Sequence, residues 1–327
     1  MHWQKYAMHG AAAALAILYC APLFAQGAGN FPWKPVTIVV PFPPGANADS
    51  EARVYQEGLS AQFKQPVVID NKPGASGIIA NSFVAKAAPD GHTLLFTNTT
   101  ATVLPAVRKD LPYDLLRDFA PVIMTTKNIF VLLIRPSFPG NTFAEFIALA
   151  REKPGVVTWS TTGPGSALHM TGEWLSQLTG AKFTFVHYKG GSQAELDLLA
   201  GRIDAVPKNL SASLLLLKSR KVKVLAVLAA EQTPALPGIK TVAEMGYPEY
   251  AYSGWIGLLA PAATPAAIVS KLRAEMLMSI TTPKAMARWE AQGSVVVGST
   301  PEDFRKSLAM ELALWEKLVR VNNIKID

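Results

Sequence analysis

Short β-branched runs break repeatedly into loops rich in Gly, Ser, Thr and Asn, and a helical segment follows each loop. No other feature of this 327-residue chain restricts its fold as much. Residues 36–40 (VTIVV) end in Pro41-Phe42-Pro43-Pro44-Gly45, a loop without helix propensity, and residues 49–63 then carry apolar side chains at helical spacing. Residues 67–69 lead to the glycine-rich loop 71–77 (NKPGASG) and a helix over 78–87. Residues 92–96 lead to Asn98-Thr99-Thr100, which suit a helix cap. The device returns three more times. Strand 156–160 feeds loop 161–166 (TTGPGS) and a helix over 167–178, and strand 183–187 feeds loop 188–192 (YKGGS) and a helix over 193–200. Strand 203–206 feeds loop 207–211 (PKNLS) and another helix.

This rhythm predicts an α/β fold with parallel strands, and it puts the loops that follow the strands along one sheet edge, where open α/β sheets bind ligands. The pattern falls into two blocks, and residues 224–228 read as a strand crossing back. In the tail, a strand over 255–260 and helices over 266–280 and 301–321 complete the first block. The expectation is a first domain of residues 26–124 plus 229–327 and a second of residues 125–228, with a cleft and a hinge between them.

The start of the chain bears on where it works. Lys5 is the only Lys or Arg before the apolar run 11–21 (AAAALAILYCA), and Ala25 precedes Gln26. A basic start, a run of this length and a small residue at the cut describe a cleaved secretory signal peptide over residues 1–25. The run is shorter than the roughly 20 apolar residues a membrane span needs. The rival reading is an uncleaved anchor. A lipoprotein is excluded because bulky Tyr19 precedes Cys20.

Export removes Cys20, the only cysteine, so neither a disulfide nor a thiol nucleophile is available. The core alone must hold the fold, and a 50% hydrophobic content suits that. The formal charge of +7 is spread along the chain, with one local cluster at 218–223 (KSRKVK). That cluster reads as a solvated helix end, and nothing here has the pattern of a nucleic-acid binder. A modest positive field favours approach by small anions.

Enzyme motifs are missing. The chain has no Gly-x-Ser-x-Gly elbow, no phosphate loop of the Walker type and no His-Glu-x-x-His. His169 and Glu173 share a helix face, but two ligands are too few for a metal site. The expectation is therefore no cofactor, no metal and no catalysis. An anion site is better supported. Helix N-termini expose unpaired N–H groups and the positive end of the dipole, and glycine lets a ligand approach the backbone. Several such loops on facing edges can hold a carboxylate without a cationic side chain.

At these loops the chain resembles the periplasmic substrate-binding proteins of tripartite tricarboxylate transporters, the Bug or TctC receptors. The strings that carry the resemblance include Val39-Val40-Pro41-Phe42-Pro43-Pro44-Gly45, Asn71-Lys72-Pro73-Gly74-Ala75, Ala87-Ala88-Pro89-Asp90-Gly91 and Leu111-Pro112-Tyr113-Asp114. Tyr188-Lys189-Gly190, Pro234-Ala235-Leu236-Pro237, Gly257-Leu258-Leu259-Ala260-Pro261 and Gly298-Ser299-Thr300-Pro301-Glu302 continue it to the tail. The resemblance implies a type II-like two-domain clamshell, each domain a mixed, mostly parallel sheet flanked by helices. It also implies a monomer that captures a small mono- or dicarboxylate and delivers it to a membrane permease. By the same resemblance, Phe42, Gly45, Ala46 and Asn47 contact the ligand from the first domain. Asn98, Thr99, Ser160, Thr161, Ser166, His169, Tyr188 and Asn209 are the further cleft residues it points to.

Two features depart from the family pattern. The loop after Gly45 has Ala46, Asn47 and Ala48 where more glycine is usual, which leaves less room for backbone approach. Lys208 stands before Asn209 where relatives carry an Asp or a small residue. It pairs with a ligand carboxylate if it points into the cleft, and otherwise meets solvent or a protein carboxylate. Trp255 is read either as a cleft floor or as core. Two other functions share the same sequence features: a sensory receptor presenting the carboxylate to a histidine kinase, and a secreted α/β hydrolase.

Overall fold

The structure, a computed structural model, describes residues 30–188, 191–291, 294–322 and 324. The export segment expected over residues 1–25 lies outside the described residues, as do Lys189 and Gly190. The chain runs β1 (Val36–Val40), α1 (Asn47–Phe63), β2 (Val67–Asn71), α2 (Ile78–Ala85), β3 (Thr93–Asn98), α3 (Thr100–Val107) and the long β4 (Phe119–Ile134). It continues with α4 (Phe143–Glu152), β5 (Val157–Thr161), α5 (Ala167–Thr179), β6 (Phe183–His187), α6 (Gly191–Leu199), β7 (Ala205–Asn209), α7 (Leu210–Lys218) and β8 (Lys223–Val227). The tail supplies β9 (Ser253–Pro261), α8 (Ala266–Ile280), α9 (Pro283–Ala291), β10 (Ser294–Val296) and α10 (Pro301–Asn322).

The strands follow the order β2-β1-β3-β9-β4-β7-β5-β6, with β8 and β10 also paired to β4. β1 is parallel to β2 and β3, and β5 is parallel to β6 and β7. Every antiparallel ladder among the described residues involves β4 or β9. β4 belongs to both halves of the sheet. Its residues from Phe119 to Ile129 pair with β9, and those from Phe130 to Ile134 pair with β7. The division expected near residue 124 falls inside this strand, where the register against β9 shifts between Met124 and Thr126.

Both faces of each half are covered, which is why the strands read as continuous apolar runs. Val36, Ile38 and Val40 face one core with α1 and α8, while Val39 faces another with α2 and Phe304 of α10. In the second half Leu132 and Ile134 face α4 and α5, and Val131 and Leu133 face α6 and α7. α10 takes part in both halves. Phe304 and Leu308 pack in the first, whereas Trp315 and Leu318 pack in the second beside Trp174, Tyr250 and Tyr252. Val242, Tyr250 and Tyr252, assigned by sequence to the first domain, likewise pack in the second half's core.

Three elements differ from the sequence reading. β7 extends through Pro207, Lys208 and Asn209, which the sequence presents as a loop. Proline is tolerated there because β7 pairs with β5 only at Ala205, so beyond that residue one side of the strand is an open edge. β4 is obscured in the sequence by Pro121 and the polar stretch Thr125–Asn128 within it. α9 was not expected, although Thr282 caps it through Ala285 N–H and Pro283 occupies its first turn.

Two glutamates, Glu51 buried and Glu311 half-buried, brace the shared strands. Glu51 of α1 accepts from Thr125 Oγ1 (2.6 Å) and Thr126 Oγ1 (3.0 Å) of β4 and from Tyr55 Oη (2.9 Å). Glu311 of α10 accepts from Thr102 Oγ1 (2.9 Å) and from Trp255 Nε1 (2.5 Å) of β9. Trp255 is therefore a core residue, packed edge-on against Phe304. Burial pushes each carboxyl up to about 7, against the hydrogen bonds that favour its charged form.

Because the folded-state value is raised, this stability is complete below the ordinary carboxyl range and is lost as the pH rises through about 7, by roughly 3 kcal/mol per group. Glu51→Gln and Glu311→Gln should each flatten the decline of melting temperature between pH 5 and 8. A slope equal to wild type in both variants would show that the carboxyls are not held neutral.

Candidate functional site

The loop after β1 is tied down from behind. Asp49, fully buried, accepts from Gly45 N–H (2.8 Å), from Arg53 Nε (3.0 Å) and from Asn71 Nδ2 (2.9 Å). Burial alone would raise its carboxyl, but these bonds outweigh it and hold the group below the usual range. Asn71 also donates to Phe42 O (3.0 Å), so the β2 end fixes the β1 loop. Ala46 caps α1 without a side-chain acceptor, and no acceptor meets the N–H groups of Asn47, Ala48 and Asp49 among the described residues. Gly45, at φ 82°, faces open space where a Cβ would stand. The result is a rigid turn that presents the positive end of a helix outward.

In the second half, β5 and β6 end side by side. Tyr188 N–H donates to Thr161 O (3.0 Å), and Thr161 Oγ1 lies 2.5 Å from His187 Nδ1. Ser166 caps α5, accepting from His169 N–H (3.3 Å). Gly165 N–H donates to His169 Nδ1 (3.1 Å), which makes that nitrogen an acceptor and places the proton of the neutral ring on Nε2. Desolvation, followed by the nearby His187 ring, lowers His169 to about 4. Desolvation also lowers His187. Ser160 is buried among these groups, and Tyr188 directs its hydroxyl to Asp197 (2.9 Å).

Asn209 is the most telling residue. Its Oδ1 caps α7 by accepting from Ser211 N–H (2.9 Å) and Ser211 Oγ (2.6 Å). Its Nδ2 is buried and has no partner. An unmet buried donor costs about 1–3 kcal/mol, so it stands out against the satisfied groups around it.

The two halves touch where Ser76 Oγ donates to Pro164 O (3.4 Å). Asn98 and Thr99, expected in the cleft, have side chains engaged by the fold. Asn98 Oδ1 accepts from Thr100 N–H (3.0 Å), and Thr99 Oγ1 accepts from Trp255 N–H (2.9 Å). Lys208 is ion-paired with Glu195, so of its two expected partners the structure places it on the protein carboxylate. No hydrogen bond joins Phe42, Gly45, Ala46 or Asn47 to the second half among the described residues. Two surface hollows, one beside α2 and one between Arg135 and Asp204, lie away from these loops. The loops remain the stronger candidate because the unmet Nδ2 of Asn209 and the free N–H groups at the start of α1 belong to them.

Sequence reasoning passed over Asp49, Asn71, Ser76 and His187. Asn71 and Ser76 lie in a loop already marked by its glycines, and His187 directly precedes Tyr188. The role of Asp49 depends on a bond back to Gly45 that sequence spacing does not reveal.

The fold is that of periplasmic binding proteins. Its backbone matches R. palustris Rpa4515 with adipate at a TM-score of 0.83 and 32% identity, covering 90% of this chain and 99% of that one. It matches MatC from Rhodopseudomonas palustris with bound malate at 0.82 and 30% identity, covering 88% and 100%. The chain is also 33% identical to Protein BugT of Bordetella pertussis over 301 residues, 91% of this chain and 92% of that protein. Residues 51–324 match the model of the tripartite tricarboxylate transporter family receptor, TctC. The chain belongs to that family of substrate-binding proteins.

The neutral state of His169 is directly measurable. Its folded-state value is depressed, so its contribution to stability is present above the ordinary histidine range and is lost as the pH falls through about 4. An NMR titration should show the His169 ring neutral at pH 6, with a midpoint near 4. A midpoint above 6 would contradict the described packing.

Proposed function

We propose that the chain is an exported receptor that takes up a small carboxylate between two lobes, divided near residues 124 and 228, and passes it as a monomer to a membrane permease. The observation that carries this reading is the unmet buried Nδ2 of Asn209, set among strand-end loops with further free N–H donors at the start of α1. Phe42, Gly45, Ala46 and Asn47 present that helix start from one lobe. Ser160, Thr161, Ser166, His169 and Tyr188 form the wall around Asn209 on the other. Asn98 and Thr99 shape the base of the first lobe through their caps.

The chemistry suits an anion. The nearby imidazoles are neutral and Lys208 is occupied by Glu195, so attraction comes from oriented N–H groups rather than from a mobile cation. A charge-assisted hydrogen bond contributes about 1.5–3 kcal/mol, and micromolar affinity needs about 8 kcal/mol. A few such bonds from each lobe suffice. Closure follows because only the closed state makes both sets of contacts. The adipate and malate in the two solved relatives support a carboxylate here. The signal-like start of the chain and the family match support export and delivery to a permease.

A thermal-shift series with malate, adipate and aromatic mono- and dicarboxylates should find an acid that raises the melting temperature. Asn209→Asp keeps the acceptor that caps α7 and removes the donor. For that acid it should weaken binding by about 10- to 100-fold, with the ligand-free melting temperature close to wild type. Unchanged affinity in this variant would remove Asn209 from the site, and a series in which every acid is silent would remove the carboxylate.

A further inference from the structure

We propose that the outer face of α2 is the surface on which the membrane permease docks, through a periplasmic segment that is apolar and acidic. The proposal rests on the transport reading above. α2 buries Ala80 and Val84 against the sheet, yet Ile79 and Phe83, four residues apart, point outward at 54% and 47% exposure. The core accounts for one face of this short helix and leaves a second apolar face open. Ile79 and Phe83 border a hollow of about 570 Å³ whose wall includes Lys86 and Pro112.

The charge around the hollow selects its occupant. Lys72 Nζ lies 4.6 Å from the centre of the Phe83 ring, but it is ion-paired with Asp70 (3.0 Å), so its charge is already answered. Lys86 is exposed and has no carboxylate within ion-pair distance among the described residues. An apolar recess with the unpaired ammonium of Lys86 on its rim fits an apolar side chain beside a carboxylate. Leu215 on α7 is more exposed, at 82%, but borders neither hollow.

Position adds a second argument. The loop that enters α2 holds Ala75 and Ser76 at φ 47° and 54°, and from it Ser76 reaches Pro164 of the other half. The apolar face therefore starts one helical turn from the point where the halves meet. A partner seated on it would sense whether they are together.

Phe83 replaced by a photoreactive benzoylphenylalanine, in cells that carry the cognate transporter, should cross-link on illumination to a multi-spanning permease subunit. In a second arm, the variant Ile79→Ser with Phe83→Ser should keep the wild-type melting temperature and the same shift with malate or adipate. Uptake of that labelled acid by the cells should fall at least tenfold. Wild-type uptake by the double variant overturns the proposal, as does cross-linking only to lipid or to a second copy of this chain. If no acid shifts the melting temperature, the ligand reading fails by itself, and the cross-link still decides the docking surface: a permease adduct supports it and the absence of one overturns it.

Discussion

The structure depends on one strand serving two sheets. β4 is buried on both faces along most of its length, pairs with β9 over its first part and with β7 and β8 over its second. A strand used in this way cannot shift register without exposing apolar side chains in both halves at once. The polar stretch Thr125–Asn128 lies at the change of partner, and there Glu51 supplies acceptors for the two threonine hydroxyls. Buried polar groups at that point are tolerated because each of these hydroxyls is met. The parallel strands on either side end in the loops that form the candidate site.

The candidate site shows how an anion can be recognised by a nearly neutral surface. Among the described residues the cationic groups at these loops have protein partners: Arg53 pairs with Asp49 and Asn71, Lys72 with Asp70, and Lys208 with Glu195. Asp49 even places a negative charge behind the loop at Gly45, but its lone pairs are taken up by three donors. What remains without a partner among the described residues is the main-chain N–H at the start of α1 and the buried Nδ2 of Asn209. Such donors are fixed before a ligand arrives and need little rearrangement, which lowers the cost of ordering on binding.

Much of the fold was legible in the chain because its parallel strands are short, apolar on both faces and punctuated by glycine. β6 over Phe183–His187 and α8 over Ala266–Ile280 follow from that pattern residue for residue. The elements that carry the chain between halves were not legible. β4 is interrupted by Pro121, Lys127 and Asn128, whose places are set by bulges and partner changes that exist only in three dimensions. Pro207 and Lys208 read as a loop because the open edge that accepts a proline is a property of the assembled sheet. At the site, loop composition pointed to the strand-end turns, and the family resemblance to Gly45, Ser166 and Asn209 within them. Neither could tell that Thr99 Oγ1 and Asn98 Oδ1 are engaged by the fold, since their partners are a backbone N–H of β9 and one in an adjacent turn.

The C-terminal helix sets a limit on how this molecule can move. α10 runs for 22 residues, about 33 Å, with Phe304 and Leu308 anchored in one core and Trp315 and Leu318 in the other. A continuous helix resists stretching, so the lobes cannot simply separate along its length. A hinge motion of the kind proposed must therefore leave the length of this rod unchanged.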